Sequence, residues 1–255
     1  MAEPWIAKGE IRQEARREND PTFIKSDDPE YLEEIENDEF SSVLSGQTRP
    51  KVLITTSGEK DPCEPFAQCL ETLIPNSKYE SRINGSDFST VRNQAIESEY
   101  TDMIVLVSAK DEVHMLYHLH LPEGPSACYR ITSIKLPKEI DGHARTSDHY
   151  PEIILKRFET RVGQLTGRML SALFPAKPQY YGRRVITFHH QRDFIFFRHY
   201  RYQFNSPEEA VLQEAGPRFT LRLMWMQEGP YDPSNGVYTF YRRQRHEKSR
   251  LKWAL

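Results

Sequence analysis

Residues 183–223 decide the reading of this chain. They open as Arg183-Arg184-Val185-Ile186-Thr187-Phe188 and turn through Gln191-Arg192-Asp193. They continue as Phe194-Ile195-Phe196-Phe197-Arg198-His199-Tyr200-Arg201-Tyr202 and close on Gly216-Pro217-Arg218-Phe219-Thr220-Leu221-Arg222-Leu223. The closing segment alternates, so a strand there carries Phe219, Leu221 and Leu223 on one face and Arg218, Thr220 and Arg222 on the other. The middle segment is mostly aromatic, and Arg198 and Arg201 break into it. Cations interleaved with flat rings on strands suit a phosphate backbone with unpaired bases, because cations neutralise phosphates while rings stack on bases. An antiparallel sheet with an apolar inner face and a solvated outer face shows the same alternation. Both readings stand at this point.

The rest of the chain narrows the choice. Its 255 residues allow one large domain or two small ones with a real core. A content of 38% hydrophobic and 28% charged residues is that of a globular protein with a polar extension. No apolar run approaches the roughly 18 residues of a membrane span, and Met1-Ala2-Glu3-Pro4-Trp5 lacks the start of a signal peptide. Cys63, Cys69 and Cys128 have no CxxC spacing, which points away from a disulfide framework or zinc knuckle and toward a reducing, intracellular setting. The net charge of -3 hides a strong asymmetry. Residues 1–50 carry -7, residues 51–150 carry -5 and residues 151–255 carry +9. A basic module attached to an acidic one implies a polyanion partner, or two halves that attract each other.

Residues 1–48 read as an acidic N-terminal extension, partly disordered. Residues 11–18 could form a short charged helix with too few apolar positions to anchor it. Residues 27–40, with sparse Tyr31, Leu32, Ile35 and Phe40, fit a segment that folds only against a partner or the chain's own basic half. Lys51 to Ser57 predicts a buried strand, being β-branched and continuously apolar. Residues 64–74 predict a helix burying Phe66, Leu70 and Leu73, with Pro75 after its end. The strand, glycine and helix here do not make a P-loop, since Gly-Lys-Ser/Thr is missing. A second helix is expected over 88–99, and strands over 103–107, 113–121 and 127–134. The second half opens near Pro151, with one long amphipathic helix expected over 153–174; Gly163 and Gly167 within it permit close packing on a sheet. His114, His118 and His120 share one face of their strand, but no acidic or cysteine ligand stands near them in sequence, so a metal site is not expected.

The two halves echo each other. Leu70-Glu71-Thr72-Leu73-Ile74-Pro75 matches Leu170-Ser171-Ala172-Leu173-Phe174-Pro175, and Lys110-Asp111 between strands matches Arg192-Asp193. Gly124-Pro125 followed by Tyr129-Arg130-Ile131 matches Gly216-Pro217 followed by Leu221-Arg222-Leu223. Three matches in one order make each half a helix on a small sheet, a repeat of domain size.

These motifs resemble the Brix domain, the RNA-binding module of a group of eukaryotic ribosome-assembly factors. The likeness starts at Pro50-Lys51-Val52-Leu53-Ile54-Thr55-Thr56-Ser57. It includes Ile74-Pro75-Asn76-Ser77, Tyr100-Thr101-Asp102, Leu119-His120-Leu121-Pro122 with Gly124-Pro125, and residues 183–223. Pro151-Glu152-Ile153-Ile154-Leu155, Gly167-Arg168-Met169, Phe174-Pro175, the run from Gln191 to Arg198 and Ser249-Arg250-Leu251-Lys252 resemble a large-subunit branch of the family. Asp111-Glu112 depart from the family pattern, standing where a glycine is usual.

The resemblance implies an α/β (α+β) fold, a Brix domain over 49–255 made of two similar lobes, each a small mixed sheet packed with helices. The lobes would span about 49–148 and about 149–242, with a basic C-terminal tail over 242–255. It implies a non-catalytic factor, without cofactor or metal, in the nucleolus (nucleus). Its partners would be precursor and large-subunit ribosomal RNA, the pre-60S particle and a dedicated assembly-factor protein, the maintenance-of-killer-sixteen homologue; no membrane is implied. The expected RNA contacts are Arg183, Arg184, Arg192, Arg198, Arg201, Tyr202, Arg218 and Arg222, with Arg242, Arg243, Arg245, Lys248, Arg250 and Lys252 on an exposed C-terminal arm. Two other classes compete with this one. A nuclease using Asp193 or Glu214 with His189 and His190 lacks a carboxylate cluster at metal-binding spacing. A protein-binding scaffold would dock an acidic partner on the basic half.

Overall fold

The computed structural model describes residues 29–56, 61–81, 87–206 and 209–242. Helices α1 (Pro29–Glu36) and α2 (Ser41–Leu44) precede strand β1 (Val52–Thr56), all five residues of which are buried. Helix α3 (Glu64–Leu73) follows, with Pro65 in its first turn and Phe66, Leu70 and Leu73 buried. After β2 (Ser77–Glu80) comes α4 (Phe88–Glu97), capped by the Asp87 carboxylate, which accepts the Phe88 N–H. Strands β3 (Asp102–Ala109), β4 (Glu112–His120) and β5 (Ser126–Lys135) complete the first lobe. The second lobe runs β6 (Glu152–Lys156), α5 (Arg161–Ser171), β7 (Arg184–Gln191), β8 (Phe194–Ser206), β9 (Glu209–Glu214), β10 (Arg218–Gln227) and β11 (Tyr238–Tyr241).

The lobes are copies of one plan. β1 lies parallel to β3 as β6 lies parallel to β7, and the hairpin of β3 and β4 corresponds to that of β7 and β8. Both hairpins turn through two left-handed residues, Lys110 and Asp111 at φ 54° and 60°, and Arg192 and Asp193 at 52° and 64°. Asp111 therefore takes up the conformation for which the missing glycine would be suited. The two sheets fuse into one with the order β2-β1-β3-β4-β5-β10-β8-β7-β6. At the antiparallel seam Tyr129 faces Leu223, Arg130 faces Arg222 and Ile131 faces Leu221. The sequence match equates these same triplets, so a local two-fold axis passes between Arg130 and Arg222.

One expected element is corrected. The long helix over 153–174 is instead an edge strand, β6, followed by the shorter α5. Ile153-Ile154-Leu155 is apolar enough for either period, and parallel pairing with β7 settles it as strand. The Thr160 hydroxyl then accepts the Gly163 N–H at 3.1 Å and fixes where the helix begins. A Cβ on Gly167 would lie 3.0 Å from Leu155 Cδ1, so this glycine does let α5 press onto the strand.

One face of the sheet carries the main core, in which Phe66, Leu70, Met169 and Leu170 from α3 and α5 meet Ile54, Leu106, Phe188, Phe197 and Leu221. On the opposite face Val91, Ala95 and Ile96 of α4 cover Leu53, Met103, Val105 and Leu119 of the first lobe. The acidic segment folds against the chain's own basic half. Phe40 and Val43 enter the main core, Arg168 Nη2 donates to Asp38 Oδ1 at 2.7 Å and to the Ile35 carbonyl at 2.9 Å, and Arg161 pairs with Glu34. The expected helix over 11–18 lies outside the described residues.

Candidate nucleic-acid interface

Each described α-helix with buried side chains contributes them to one of these two clusters. Among the described residues no α-helix therefore covers the second lobe's sheet opposite α5. Register places its side chains in rows. Lys156 on β6 lies beside His189 on β7, which lies beside Phe196 on β8, which lies beside Thr220 on β10. Thr187 lies beside Arg198, and Arg222 beside Arg130 on β5. Four strands thus present Arg130, Lys156, Arg198 and Arg222 among Phe194, Phe196 and Tyr200, and β7 adds His189.

The rings and cations touch. The Arg222 guanidinium sits 5.1 Å from the centre of the Phe194 ring, and Phe196 lies 6.5 Å from Phe194 and 6.4 Å from His189. Burial first, then the charges of Arg157 and Lys156, push His189 below its ordinary pKa, as expected in a positive field. At one border Trp225 stacks on Tyr231 with ring centres 5.2 Å apart.

The inner side of β10 has the anticipated register, with Phe219, Leu221 and Leu223 at 4%, 1% and 8% exposure and Arg218 and Arg222 opposite. Arg198 and Tyr202 share the open face, with Arg198 half-buried and Tyr202 edge-on to Phe204. Arg192 is exposed at the tip of the second-lobe hairpin and Arg183 is exposed at the start of β7. Arg218 shares the open face but is ion-paired with Glu214, Nε to Oε1 at 2.8 Å. Arg201 points to the opposite face, as the cross-strand neighbour of Arg184.

Two expected contacts are overturned. Arg184 is 3% exposed, and its guanidinium donates to the carbonyls of Ser147, His149 and Leu73 at 2.6, 2.7 and 3.1 Å and to His199 Nε2 at 3.2 Å. It joins the end of α3 to the connection before β6 and presents nothing to a ligand. Arg242 Nε donates to the Leu223 carbonyl at 3.1 Å, and its Nη1 reaches Asp193 Oδ2 at 3.2 Å. It is part of the sheet and does not begin an exposed arm. Arg243, Arg245, Lys248, Arg250 and Lys252 lie outside the described residues.

Arg130 and Lys156 join this face although the sequence does not single them out, because β5 belongs to the acidic half and the spacing over 153–174 suits a helix. The sequence does not single out Asp102 either. It lies beside His120 across the strand pair, and its Oδ1 stands 3.0 Å from both His118 Nε2 and His120 Nδ1. Burial pushes the Asp102 carboxyl up, but the hydrogen bonds from His118 and His120 outweigh it and hold the group at about 2. His120 Nε2 also donates to the Glu39 carbonyl at 3.2 Å, so this trio fastens the N-terminal segment to the sheet. His114 is exposed and apart from it.

Comparison with known proteins agrees with this architecture. The Brix domain model matches residues 58–225. The chain belongs to the Brix domain family. Within it, a Brix domain-containing protein of Caenorhabditis elegans is 40% identical over 95% of this chain and 64% of its own length. Ribosome production factor 1 of Pongo abelii is 41% identical over 94% of this chain and 69% of its own. The chain thus spans about two thirds of the length of these curated relatives. The crystal structure of a probable ribosomal biogenesis protein from Aeropyrum pernix K1 shares the fold at 12% identity, with a TM-score of 0.51 over 74% of this chain and 99% of that one. The Brix match runs from before α3 to Trp225 and so includes all five strands of the open face.

Proposed function

We propose that this Brix-domain chain is a non-catalytic ribosome-biogenesis factor that binds precursor ribosomal RNA on the open face of its second lobe and acts in assembly of the large (60S) subunit. The observation that carries the reading is that face, where Arg130, Lys156, Arg198 and Arg222, drawn from four strands, accompany the half-exposed rings of Phe194, Phe196 and Tyr200 on β8. The relatives named ribosome production factor 1, and the probable ribosomal biogenesis protein of Aeropyrum pernix K1 that shares the fold, support the setting. Three of the four groups a nuclease would use are engaged elsewhere: Asp193 with Arg242, Glu214 with Arg218, and His190 Nδ1 with the Arg157 carbonyl. The nucleolus, the pre-60S particle and the maintenance-of-killer-sixteen homologue are the location and partners that belong to this reading.

The test is titration of the chain with a fluorescent single-stranded RNA across a salt series. Replacing Arg130, Arg198 and Arg222 together with Gln should weaken binding and flatten the slope of log K against log salt by about 2, at about 0.7 per phosphate contact. An unchanged affinity and slope would remove RNA from this face and leave the protein-scaffold reading.

A further inference from the structure

A cleft of about 590 Å³ lies on the other side of the sheet, beyond the helices, where the end of β8 meets β9 and the connection before β6. Arg145, Arg183 and Arg201 line it, together with Gln203 and Gln213. Among the described residues its lining holds no carboxylate, and none of the three guanidinium groups forms an ion pair.

The cleft is built rather than incidental. The Ala144 N–H donates to the Glu214 carbonyl at 2.8 Å and Gln213 Nε2 donates to the Gly142 carbonyl at 2.9 Å, which ties the wall carrying Arg145 to β9. The Tyr202 N–H donates to the Arg183 carbonyl at 3.0 Å, fixing the second wall. Arg183 itself is held at φ 46°, a left-handed conformation unusual for a residue with a side chain.

Its lining carries three cations and no carboxylate, while Asp148 offsets part of the charge of Arg184 behind it. Arg201 is the cross-strand neighbour of Arg184, whose buried guanidinium stands behind the cleft. Like charges placed so close repel, and the arrangement is stabilised when an anion sits between them. His199 reports the same field: burial first, then the charge of Arg184, push it down to about 4. The turn leading to Arg183 leaves Tyr180 and Tyr181 at 64% and 92% exposure. Rings left this open beside an anion site fit a base attached to the bound phosphate.

We propose that the Arg145–Arg183–Arg201 cleft is a second RNA site, which takes a backbone phosphate of a single strand while Tyr180 or Tyr181 stacks on an adjoining base. This rests on the RNA reading above and adds a contact on the opposite side of the sheet, so that one strand could pass around the edge formed by β8 and β9.

The test uses the full chain and a fluorescent oligouridylate, with salt series for three proteins: the unaltered chain, R145Q/R183Q and R145Q/R183Q/R201Q. Arg145 and Arg183 are exposed, so the double variant should keep the melting temperature and guards against misfolding in the triple. The expected results are weaker binding in the double variant and weaker still in the triple, with the slope flattened by about 0.7 once the single phosphate contact is lost. Binding by the double variant with unaltered affinity and slope overturns the cleft while leaving the open-face site intact. No binding by the unaltered chain overturns both. Displacement of the RNA by oligoglutamate at equal charge concentration as effectively as by unlabelled oligouridylate would mean an acidic protein segment is the occupant, and would also overturn the proposal.

Discussion

Arg183 and Arg184 are chain neighbours of one type with opposite fates, and replacing each in turn separates architecture from recognition. Arg184→Met removes the donor to three carbonyls, those of Ser147, His149 and Leu73, at a site only 3% exposed. Leaving a buried carbonyl unsatisfied costs about 1–3 kcal/mol. Relief of the buried charge offsets part of that total, since burial has already drawn the Arg184 pKa down to about 10. The expected net loss is about 3–5 kcal/mol, read as a lower urea midpoint at unchanged m-value. Arg183→Ala, at an exposed position, should stay within about 0.5 kcal/mol. An independent readout is His199: with Arg184 gone, its depressed pKa should move back toward the ordinary histidine value in an NMR titration. If Arg184→Met costs under about 1 kcal/mol and weakens RNA binding, while Arg183→Ala unfolds the domain, the inward register of β7 is wrong.

Three further perturbations probe the same scaffold. Phe219→Ala should cost about 3–5 kcal/mol, because Phe219 is 4% exposed and stacks on Phe197 with ring centres 4.2 Å apart; Phe196→Ala, on the open face, should cost much less in a thermal melt yet lower RNA affinity by about 5-fold or more, as loss of one stacking platform does. Stability should peak near pH 6.5. His120 is raised by Asp102 despite the opposing effect of burial, so its contribution is full below about 6.5 and lost as pH rises through the folded value; His199 is depressed to about 4, so stability also falls as pH drops from about 6.5 toward 4. Urea midpoints from pH 4.5 to 8 check this, and His120→Gln should abolish the His120 part of the alkaline decline. Gly124→Ala should leave little soluble protein on expression, because its Cβ would stand 2.4 Å from the Gly229 backbone at φ 100°, whereas Gly142→Ala at φ 67° meets nothing within 4 Å and should cost about 1 kcal/mol.

Much of the architecture was legible because a single period dominated each segment. β1 is β-branched at every position but Leu53, α3 repeats its apolar residues at helical spacing, and β10 alternates cleanly. Where two periods fitted, the sequence misled: Ile153, Ile154 and Leu155 continue the helical spacing of Phe158, Val162 and Leu165, and only pairing with β7 makes them a strand. β2 gave no signal, since Ser-Lys-Tyr-Glu is strand only by virtue of lying along β1. For Arg184 the signal was present and outweighed by composition. It has the parity of Ile186 and Phe188, both core residues, so period-2 reasoning already placed it inward. Asp102 could not have been linked to its histidines without strand pairing, because 16 and 18 residues separate them.

The open face follows from what the second lobe lacks. Both lobes place a helix, α3 or α5, on the same side of the sheet, and this covers the main core along its whole width. The first lobe then inserts β2 and α4 before β3, and α4 covers the other side. The second lobe passes from α5 to β7 with only the short 3-10 turn Tyr180–Gly182 between them. Nothing described takes the place of α4, so the side chains of β7, β8 and β10 on that side must suit solvent or a ligand. A solvent-facing sheet would be met by small polar residues. Phe194, Phe196, Arg198, Tyr200 and Arg222 stand there instead, in the half of the chain that carries +9. The seam makes the contrast local. Arg130 and Arg222 occupy equivalent positions about the two-fold axis and lie side by side across it, each on the uncovered side of its own strand. Two like charges directly opposite each other destabilise a strand pair. The duplicated plan brings them together by symmetry, and an anionic strand crossing the seam would turn that repulsion into binding.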